Sequence, residues 1–559
     1  MSQSSSRRPH VYDYISVGAG SAGCTLASRL TEDKDTHVLV VEAGGWDRDP
    51  LIRLPLAWGK ILNERRHDWG YDTEPDPNTG NRRLECMRGK IVGGSSSVNA
   101  MAYVRGHRAD YDRWAANGAA GWSYSDVLPY FRRQESWHGG PSYYRGGDGP
   151  LSTQMAPFED PLVEAFAAAG RDAGHPATPD YNGARQEGFG VWQMTVRQGR
   201  RCSTADAYLR PALPRRNLRV EVNALTTRLV IEGNRAVGVE YLRNGRPMTA
   251  RASREVVLCG GVVNSPQLLM LSGIGDPDAL RVLGIEVKVA LRGVGKNLQD
   301  HISASVAYKR KEPGVLHRAM RFDRIVPALA EAHFRGTGIA TGLPTGMMAF
   351  LKTRPEVALP DIQLLFNAAP MTATPYFFPF RRAYEDGYAC RVAVLRPQSR
   401  GEVELASADP RVAPRIRQNF LATDSDWKTL RAGLRIARDV CRQAAMAPFM
   451  DREIAPGANA VDDADFDAHI RASAVTVHHP LGTCKMGLAS DRMAVVDVQL
   501  RVHGVDGLRV VDGSVMPDLV GANINAPIIM IAEKAADFIR GEPPLEPARI
   551  VAASEATRN

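Results

Sequence analysis

The order of apolar and polar positions near the start of the chain indicates three regular elements in succession. Residues 12–17 form a short apolar run that ends in glycines, which is typical of a buried strand. Apolar or small residues recur at helical spacing over residues 24–30, and residues 37–42 form a second apolar run that closes on an acid. These patterns predict a strand–helix–strand unit.

The glycines at the end of the first strand indicate that this unit binds a dinucleotide. Gly18, Gly20 and Gly23 form a Gly-x-Gly-x-x-Gly sequence, and Glu42 ends the second strand. Gly18 permits a tight turn, Gly20 lets the backbone approach a pyrophosphate, and Gly23 lets helix and strand pack closely. The helix N-terminus offers N–H groups to phosphates, and Glu42 can accept hydrogen bonds from a ribose hydroxyl. Because a carboxylate disfavours a 2′-phosphate, the unit predicts FAD or NAD rather than NADP.

Composition and charge set the broad class of the protein. The 559 residues are 44% hydrophobic and 24% charged, which predicts two or three globular domains. The net charge of +8 comes from scattered basic residues, mostly arginine. We therefore expect no nucleic-acid partner. A solvated basic surface is the simpler interpretation, and weak attraction to an anionic membrane surface is the alternative.

Neither targeting nor metal-binding signals are evident. The polar first ten residues lack the apolar core of a secretory signal, and no apolar run reaches the roughly 18 residues of a membrane span. The seven cysteines are dispersed and form no Cys-x-x-Cys pair. This pattern suits a reducing compartment and predicts no metal site. A cytoplasmic location is expected, with peripheral membrane association left open.

A second informative stretch covers residues 88–101, which are rich in glycine and serine. Small residues let a backbone lie against a flat ligand and donate N–H groups to it. The alternative is a flexible surface loop, but apolar residues are interleaved with the small ones. We therefore predict that this stretch contacts the cofactor.

With these two stretches, the chain resembles the glucose–methanol–choline (GMC) family of FAD-dependent alcohol oxidoreductases. The matches run in order from about residue 12 to 540. The matching segments are residues 18–23 with Glu42, 89–99, 260–275, 297–301, 482–487 and 509–517.

The resemblance implies a mixed α/β fold in which two domains interleave. A Rossmann-like FAD-binding domain is expected from residues 11–155, 200–300 and 485–540. A substrate-binding domain, built on an antiparallel sheet with helices, is expected from residues 156–199 and 301–484. Residues 1–10 and 541–559 are expected to be flexible ends.

The resemblance also implies which residues bind FAD. Some members attach the flavin through a histidine at the position of Val98; valine has no nucleophilic nitrogen, so non-covalent FAD is expected. The predicted cofactor-binding residues are Gly18, Gly20, Ser21, Ala22, Gly23, Glu42, Ala43, Arg88, Val92, Gly94, Ser95, Asn99, Ala100, Met101, Val222, Gly260, Asp512, Gly513 and Asn523.

Alcohol oxidation requires a base for the hydroxyl proton, and histidine suits that role near neutral pH. The family motif places the base directly before Pro480, which selects His479 over His478. His478 is predicted to be a packing neighbour facing the other way. Asn523 stands at the position of the second family residue and is predicted to hold the substrate oxygen, with Asn525 as a turn residue.

The substrate predicted from the sequence is an uncharged, primary aliphatic or aromatic alcohol. Choline-oxidising relatives carry a glutamate in the stretch that corresponds to residues 342–350, and this chain has none there. The predicted substrate pocket comprises Met347, Met348, Phe350 and Phe366, and the aromatic residues between 376 and 380 are either a loop over it or ordinary core. The alternatives are a choline dehydrogenase or oxidase, and a flavin-containing hydroxynitrile lyase. The electron acceptor could be oxygen, a quinone or a cytochrome.

Overall fold

The computed structural model describes residues 11–550 of the chain. Its α-helices are α1 (Ser21–Leu30), α2 (Pro50–Arg53), α3 (Trp58–Asn63), α4 (Arg108–Ala116), α5 (Tyr124–Gln134), α6 (Pro161–Asp172), α7 (Arg210–Ala212), α8 (Gly261–Leu271), α9 (Pro277–Val282), α10 (Val315–Ala319), α11 (Phe322–Arg335), α12 (Asp424–Arg442), α13 (Asp463–Ser473) and α14 (Asn525–Arg540). Its strands are β1 (Val11–Val17), β2 (Val38–Val41), β3 (Glu135–Trp137), β4 (Leu151–Met155), β5 (Gly188–Val191), β6 (Gln193–Met194), β7 (Val196–Arg197), β8 (Arg200–Arg201), β9 (Leu218–Glu221), β10 (Ala224–Glu232), β11 (Arg235–Arg243), β12 (Arg246–Leu258), β13 (Ile274–Gly275), β14 (Val289–Ala290), β15 (Ile302–Arg310), β16 (Met347–Leu351), β17 (Ile362–Asn367), β18 (Gly387–Val394), β19 (Glu402–Glu404), β20 (Arg415–Arg417), β21 (Met450–Ala455), β22 (Val475–Thr476) and β23 (Leu508–Val510).

The first large sheet is built around β1. Strands β12, β1, β2 and β9 lie side by side and parallel, and β23 also pairs with β12 in parallel. Strands β10 and β11 extend the sheet on the β12 side as an antiparallel meander. Strand β9 pairs with β2 in parallel and does not join that meander. The β1–α1–β2 unit is the strand–helix–strand predicted from the apolar pattern.

The second large sheet is antiparallel throughout its paired strands. Its order is β21–β15–β18–β17–β16–β5, and β22 also pairs with β15. Helices α6 and α12 cover this sheet with apolar side chains such as Phe166 and Leu430, both fully buried. The predicted α/β class, with a Rossmann-like part and an antiparallel part with helices, is confirmed.

The strands of each sheet lie within the residue ranges predicted for one domain. The boundaries themselves stay predictions. Within residues 541–550, Leu545 N donates to Tyr130 Oη at 3.0 Å and Ala548 N donates to the Ser125 carbonyl at 2.9 Å, and the flexible end stays a prediction. Residues 1–10 and 551–559 lie outside the described residues.

Helix α14 follows the last strand, β23, and lies against the first helix, α1. It packs against α1, and Glu533 receives ion pairs from Arg29 at 3.3 Å and Arg133 at 2.8 Å. These contacts direct the N-terminus of α14 towards the carboxyl ends of the parallel strands. Between residues 11 and 550, every helix is too short or too polar to cross a lipid bilayer.

Candidate active site

A cavity of about 200 Å³ opens where the parallel strands end and α1, α8 and α14 begin. This is the position at which open α/β sheets bind ligands. Thirteen of the residues predicted to bind the cofactor line it: Gly18, Gly20, Ser21, Ala22, Glu42, Ala43, Arg88, Gly94, Ser95, Asn99, Gly260, Asp512 and Gly513.

The lining of this cavity fits FAD. Gly20 is the N-cap of α1 and no side chain caps that helix, so its first N–H groups are available to a pyrophosphate. A Cβ added to Gly20 would find no protein atom closer than 3.9 Å, which places the open side of this glycine towards the cavity. Farther along the cavity, the buried Thr226 hydroxyl has no hydrogen-bond partner among the described residues. It is available to a polar group of a bound cofactor.

Two buried carboxylates shape the rim of the cavity. Glu42 accepts hydrogen bonds from Ala19 N at 2.8 Å and Gly44 N at 2.7 Å, which ties the glycine turn to the end of β2. Burial raises the pKa of Glu42 to about 7. Asp512 accepts from Gly261 N at 2.9 Å and from the Ser265 hydroxyl at 2.6 Å, so it holds the start of α8. The ribose contact of Glu42 stays a prediction.

Six of the predicted cofactor residues do not line this cavity. Gly23 acts in packing, because a Cβ there would lie 1.9 Å from the Gly18 carbonyl oxygen. Val92 and Met101 are buried in the core. Val222 is half-buried and does not line the cavity, whereas residues 224–226 do, so its contact with the cofactor stays a prediction. Ala100 and Asn523 line a second cavity instead.

The second cavity, of about 370 Å³, adjoins the first and contains the predicted catalytic pair. His479 and Asn523 both line it. The residues shared by the two cavities mark their junction, and they are Arg88, Ser95, Asn99, His478, Ile524 and Asn525. The polar pair therefore stands close to the junction of the two cavities.

Hydrogen bonds at both ring nitrogens hold the His479 imidazole. Its Nε2 lies 3.0 Å from Asn523 Nδ2, and its Nδ1 lies 3.0 Å from His301 Nδ1. Its backbone N–H donates to Asp300 Oδ1 at 2.9 Å. Burial, followed by the neighbouring His301, His478 and Arg88, keeps the pKa of His479 well below its usual value. The ring is therefore neutral at physiological pH.

The hydrogen-bond partners at the two ends of the series Leu395–His301–His479–Asn523 determine which ring nitrogens carry protons. His301 Nε2 lies 3.2 Å from the Leu395 carbonyl, which can only accept, so Nε2 carries the proton. Burial lowers the pKa of His301 to about 4, so this ring is neutral too and its Nδ1 has a lone pair. His479 must then donate from Nδ1, which leaves the lone pair of His479 on Nε2, facing Asn523.

The Asn523 amide is oriented from its other side. Gln363 Nε2 donates to Asn523 Oδ1 at 3.3 Å, so the NH₂ group faces His479. Asn525 is the first residue of α14 and accepts from the Ser21 hydroxyl at 2.7 Å. Thus Asn523, and not Asn525, contacts the base candidate.

Two residues of this network, Asp300 and His301, had no assigned role in the sequence analysis. Burial raises the pKa of Asp300 to about 6, and its second oxygen accepts from the Thr476 hydroxyl. Both residues lie in the matched segment 297–301, and that motif was the only signal pointing to them. Their function depends on β15 meeting the 475–479 segment, which sequence spacing does not reveal.

The prediction that His478 faces away from the site needs correction. Its φ of +63° is left-handed, so the argument that neighbours on an extended segment face opposite ways does not apply. His478 lines both cavities, and its buried Nδ1 has no partner among the described residues. Arg88 fixes this backbone by donating to the His478 carbonyl at 2.9 Å.

None of the four residues predicted to form the substrate pocket lines the second cavity. Met347, Met348, Phe350 and Phe366 are at most 7% exposed and are absent from the cavity wall. They pack into the core; Phe366, for example, stacks on Phe166 at 4.0 Å. Residues adjacent in sequence line the cavity instead, namely Leu343, Thr345, Leu365 and Asn367. For Phe366 and its neighbours Leu365 and Asn367 on β17, the alternation of the strand explains the exchange, because neighbouring side chains point to opposite faces.

The cavity also contains charges that the sequence analysis did not place there. Glu85 is its one carboxylate among the described lining residues, and its buried Oε1 has no partner. Burial raises the pKa of Glu85. Arg391 lines the same cavity without an ion pair to any residue in the range 11–550, and burial lowers its pKa. The cavity therefore offers one acidic and one basic group, besides Arg88, to a ligand.

The fold and this site together define a flavin-binding alcohol oxidoreductase, and comparison with known proteins gives the family. Family models described as GMC oxidoreductase match residues 12–303 and 397–532. The chain belongs to the GMC oxidoreductase family, whose members use FAD to oxidise alcohols.

Relatives cover nearly the whole chain. A mitochondrial choline dehydrogenase of Mus musculus is 47% identical, over 96% of this chain and 90% of its own length. An oxygen-dependent choline dehydrogenase of Yersinia pseudotuberculosis is 46% identical, over 96% and 94%. Among solved structures, pyridoxine 4-oxidase from Mesorbium loti has a TM-score of 0.84 at 32% identity, covering 95% of this chain and 100% of that one. Formate oxidase of Aspergillus oryzae RIB40 has a TM-score of 0.86 at 27% identity, covering 95% and 99%.

Proposed function

We propose that the protein oxidises a primary alcohol to the aldehyde, with His479 as the base and Asn523 as its partner. The observation that carries this proposal is the 3.0 Å contact between Asn523 Nδ2 and His479 Nε2 beside the junction of the two cavities. When bound, FAD accepts the hydride that leaves the substrate carbon. The side chains of this protein supply the proton chemistry and the positioning.

The base role rests on the hydrogen-bond chain behind His479. His301 Nδ1 accepts the hydrogen bond from His479 Nδ1–H. This bond fixes the tautomer of His479 and keeps its Nε2 lone pair towards the cavity. A substrate hydroxyl placed between His479 and Asn523 can give its proton to that lone pair. The Asn523 amide, held by Gln363, can donate to the same oxygen as negative charge develops on it.

The substrate we favour is choline, which was the alternative in the sequence analysis. Choline dehydrogenases at 46–47% identity support it, and so does Glu85, a carboxylate contributed from outside residues 342–350. Trp58 and Trp192 line the same cavity and offer aromatic faces to a quaternary ammonium group. Arg391 acts against a cation, which makes an uncharged alcohol the competing candidate.

An anaerobic titration of the FAD-loaded protein tests the proposal. Choline and 3,3-dimethylbutan-1-ol, its uncharged isostere, are added separately, and flavin absorbance is followed. Bleaching by either alcohol supports alcohol oxidation, whereas a hydroxynitrile lyase would leave the flavin oxidised. Bleaching at a lower concentration of choline supports the choline assignment, and the reverse order contradicts it.

Admission of oxygen to the reduced protein then identifies the acceptor. The Yersinia relative is named as oxygen-dependent, which favours rapid return of the oxidised flavin spectrum. Slow return in air, with fast return on adding a soluble quinone, would assign a dehydrogenase instead.

A further inference from the structure

Four phenylalanines form an exposed aromatic patch on the substrate-binding part of the molecule. Phe322, at the start of α11, is 54% exposed, and Phe377, Phe378 and Phe380 are 47%, 78% and 85% exposed. The exposure of Phe377, Phe378 and Phe380 contradicts the expectation that these residues are ordinary core. Contiguous exposed apolar surface of this kind marks an interaction site.

The patch is one surface, although its residues come from two segments. Phe322 N donates to the Tyr376 carbonyl at 2.9 Å, and Tyr376 N donates to the Met320 carbonyl at 3.1 Å. The Phe322 and Phe377 ring centroids lie 6.0 Å apart, and Phe377 stacks on Phe380 at 5.7 Å. We call residues 318–326 and 376–382 the aromatic patch.

Arginines surround these rings. The two segments contain five exposed arginines and a single acid, Asp323, which pairs with Arg321. Two of the arginines, Arg324 and Arg382, form no ion pair with any residue from 11 to 550. The complete set is Arg318, Arg321, Arg324, Arg381 and Arg382. The patch therefore combines apolar rings with a positive rim.

The aromatic patch adjoins the entrance to the substrate cavity. Met371 lines that cavity and is also 36% exposed, so the cavity reaches the surface there. The chain runs from Met371 into the patch within five residues, and Asn63 holds this loop by donating to the Met371 carbonyl at 3.1 Å. A short stretch of chain thus links the entrance to the patch.

We propose that the aromatic patch docks this protein on a membrane surface that contains anionic phospholipid. Phenylalanine rings that project from a helix end and a loop can enter the boundary between headgroups and acyl chains. The arginine rim complements the negative surface charge of such a membrane, and unpaired arginines keep that charge available. This inference is independent of the substrate, because it uses none of the catalytic residues.

Sedimentation with vesicles tests the docking. The FAD-loaded protein is mixed with vesicles of phosphatidylcholine alone or of equimolar phosphatidylcholine and phosphatidylglycerol. We expect binding to the anionic vesicles that weakens as salt is raised, and about tenfold weaker binding to phosphatidylcholine. Equal binding to both vesicles, or no binding, would overturn the proposal.

Two variants locate the surface. Phe378→Ser with Phe380→Ser should reduce vesicle binding about tenfold or more, and Arg324→Glu with Arg382→Glu should remove the preference for anionic lipid. Val282→Ser is the matched control, since Val282 is 85% exposed and lies outside the patch. Bound flavin and activity with a soluble acceptor should stay unchanged in all three. Normal vesicle binding by both patch variants would refute the assignment, as would a dimer in size-exclusion chromatography that the phenylalanine variant converts to a monomer.

Discussion

The two adjoining cavities recognise their contents by different means. Glycines at the turns after β1 and β12 line the cofactor cavity, where they let the backbone approach a ligand closely, whereas no glycine lines the described part of the substrate cavity. The substrate cavity is walled by side chains from at least six separate stretches, among them residues 58–63, 84–102 and 475–479. The cofactor cavity depends on glycines that permit close approach of the backbone. The substrate cavity depends on the side chains that the folded sheets bring together.

The buried polar groups of the two cavities also differ in whether the protein itself supplies their hydrogen-bond partners. In the cofactor cavity, Glu42 and Asp512 already accept hydrogen bonds from backbone N–H groups. In the substrate cavity, Glu85 Oε1, Trp192 Nε1 and Thr345 Oγ1 are buried without a partner among residues 11–550. Such groups are costly unless a ligand or water satisfies them. The two carboxylates of the first cavity are therefore satisfied by the protein itself, with the Thr226 hydroxyl left for a ligand, and the second cavity leaves more of its buried polar groups to a bound molecule.

Removing the base should give the largest effect and separate the two cavities functionally. His479→Ala should leave FAD bound, because His479 does not line the cofactor cavity, but should slow flavin reduction by about 10²–10⁴-fold. Anaerobic rapid mixing with substrate measures the rate. His478→Ala is the matched variant and should be slowed much less, since its ring makes no contact with Asn523. A reversed order for the two variants would move the base to His478.

A side chain that fills part of the cofactor cavity should weaken FAD binding and leave the fold intact. In Gly20→Val the new side chain meets no protein atom closer than 3.9 Å at its Cβ, so the chain should fold while the side chain occupies cofactor space. We expect FAD affinity to fall by about 10²-fold, equivalent to about 2.8 kcal/mol. Flavin titration measures the affinity, and the melting temperature of the cofactor-free protein reports folding.

Gly59→Ala is the control, because a Cβ there has no atom within 4 Å and Gly59 lies in α3, outside both cavities. Normal FAD affinity in Gly20→Val would show that the pyrophosphate does not approach Gly20.

The cofactor region was readable from sequence because its determinants are local. The strand–glycine–helix pattern places Gly18, Gly20 and Glu42 by short-range geometry, and the structure puts them together on one cavity. The antiparallel sheet of the substrate region followed from the family resemblance alone. In the substrate pocket, the predicted Phe366 faces the core, and its strand neighbours Leu365 and Asn367 line the cavity instead.

The sequence analysis missed other features of the site because they depend on contacts between residues that are far apart in the chain. Glu85 is far in sequence from residues 342–350, so a search confined to that stretch did not find the carboxylate. The left-handed φ of His478 depends on tertiary contacts such as the Arg88 hydrogen bond. The role of His301 depends on the distance between two rings that are far apart in the chain.

Disrupting the hydrogen-bond chain behind the base should have an intermediate effect. His301→Leu removes the acceptor for His479 Nδ1–H, so the ring loses its fixed tautomer, and we expect reduction to slow by about 10–100-fold. His301→Asn keeps an oxygen near the position of Nδ1 and should be milder. FAD content should be normal in both, because His301 does not line the cofactor cavity.

The pH profile distinguishes this positioning role from a loss of folding. Since the pKa of His479 lies well below 6.5, the base is already unprotonated above that pH, and the reduction rate should be flat from pH 8 to about 6.5. As pH falls through the pKa of His479, protonation removes the lone pair and the rate falls. Removing His301, whose neighbouring ring lowers that pKa, should move the fall to higher pH in the leucine variant. Identical profiles in the wild type and His301→Leu would contradict the proposed hydrogen-bond chain.

The smallest expected effect concerns the charges of the substrate cavity. Glu85→Gln removes the carboxylate and should raise the KM for choline about tenfold, equivalent to about 1.4 kcal/mol. It should leave the KM for 3,3-dimethylbutan-1-ol nearly unchanged, since this isostere carries no charge. Arg391→Gln should act oppositely and lower the KM for choline, because it removes a like charge from the same cavity. Steady-state kinetics with both alcohols measure the ratio. If neither variant alters the preference between the two alcohols, the cavity does not select by charge, and the shape of its apolar wall decides the substrate.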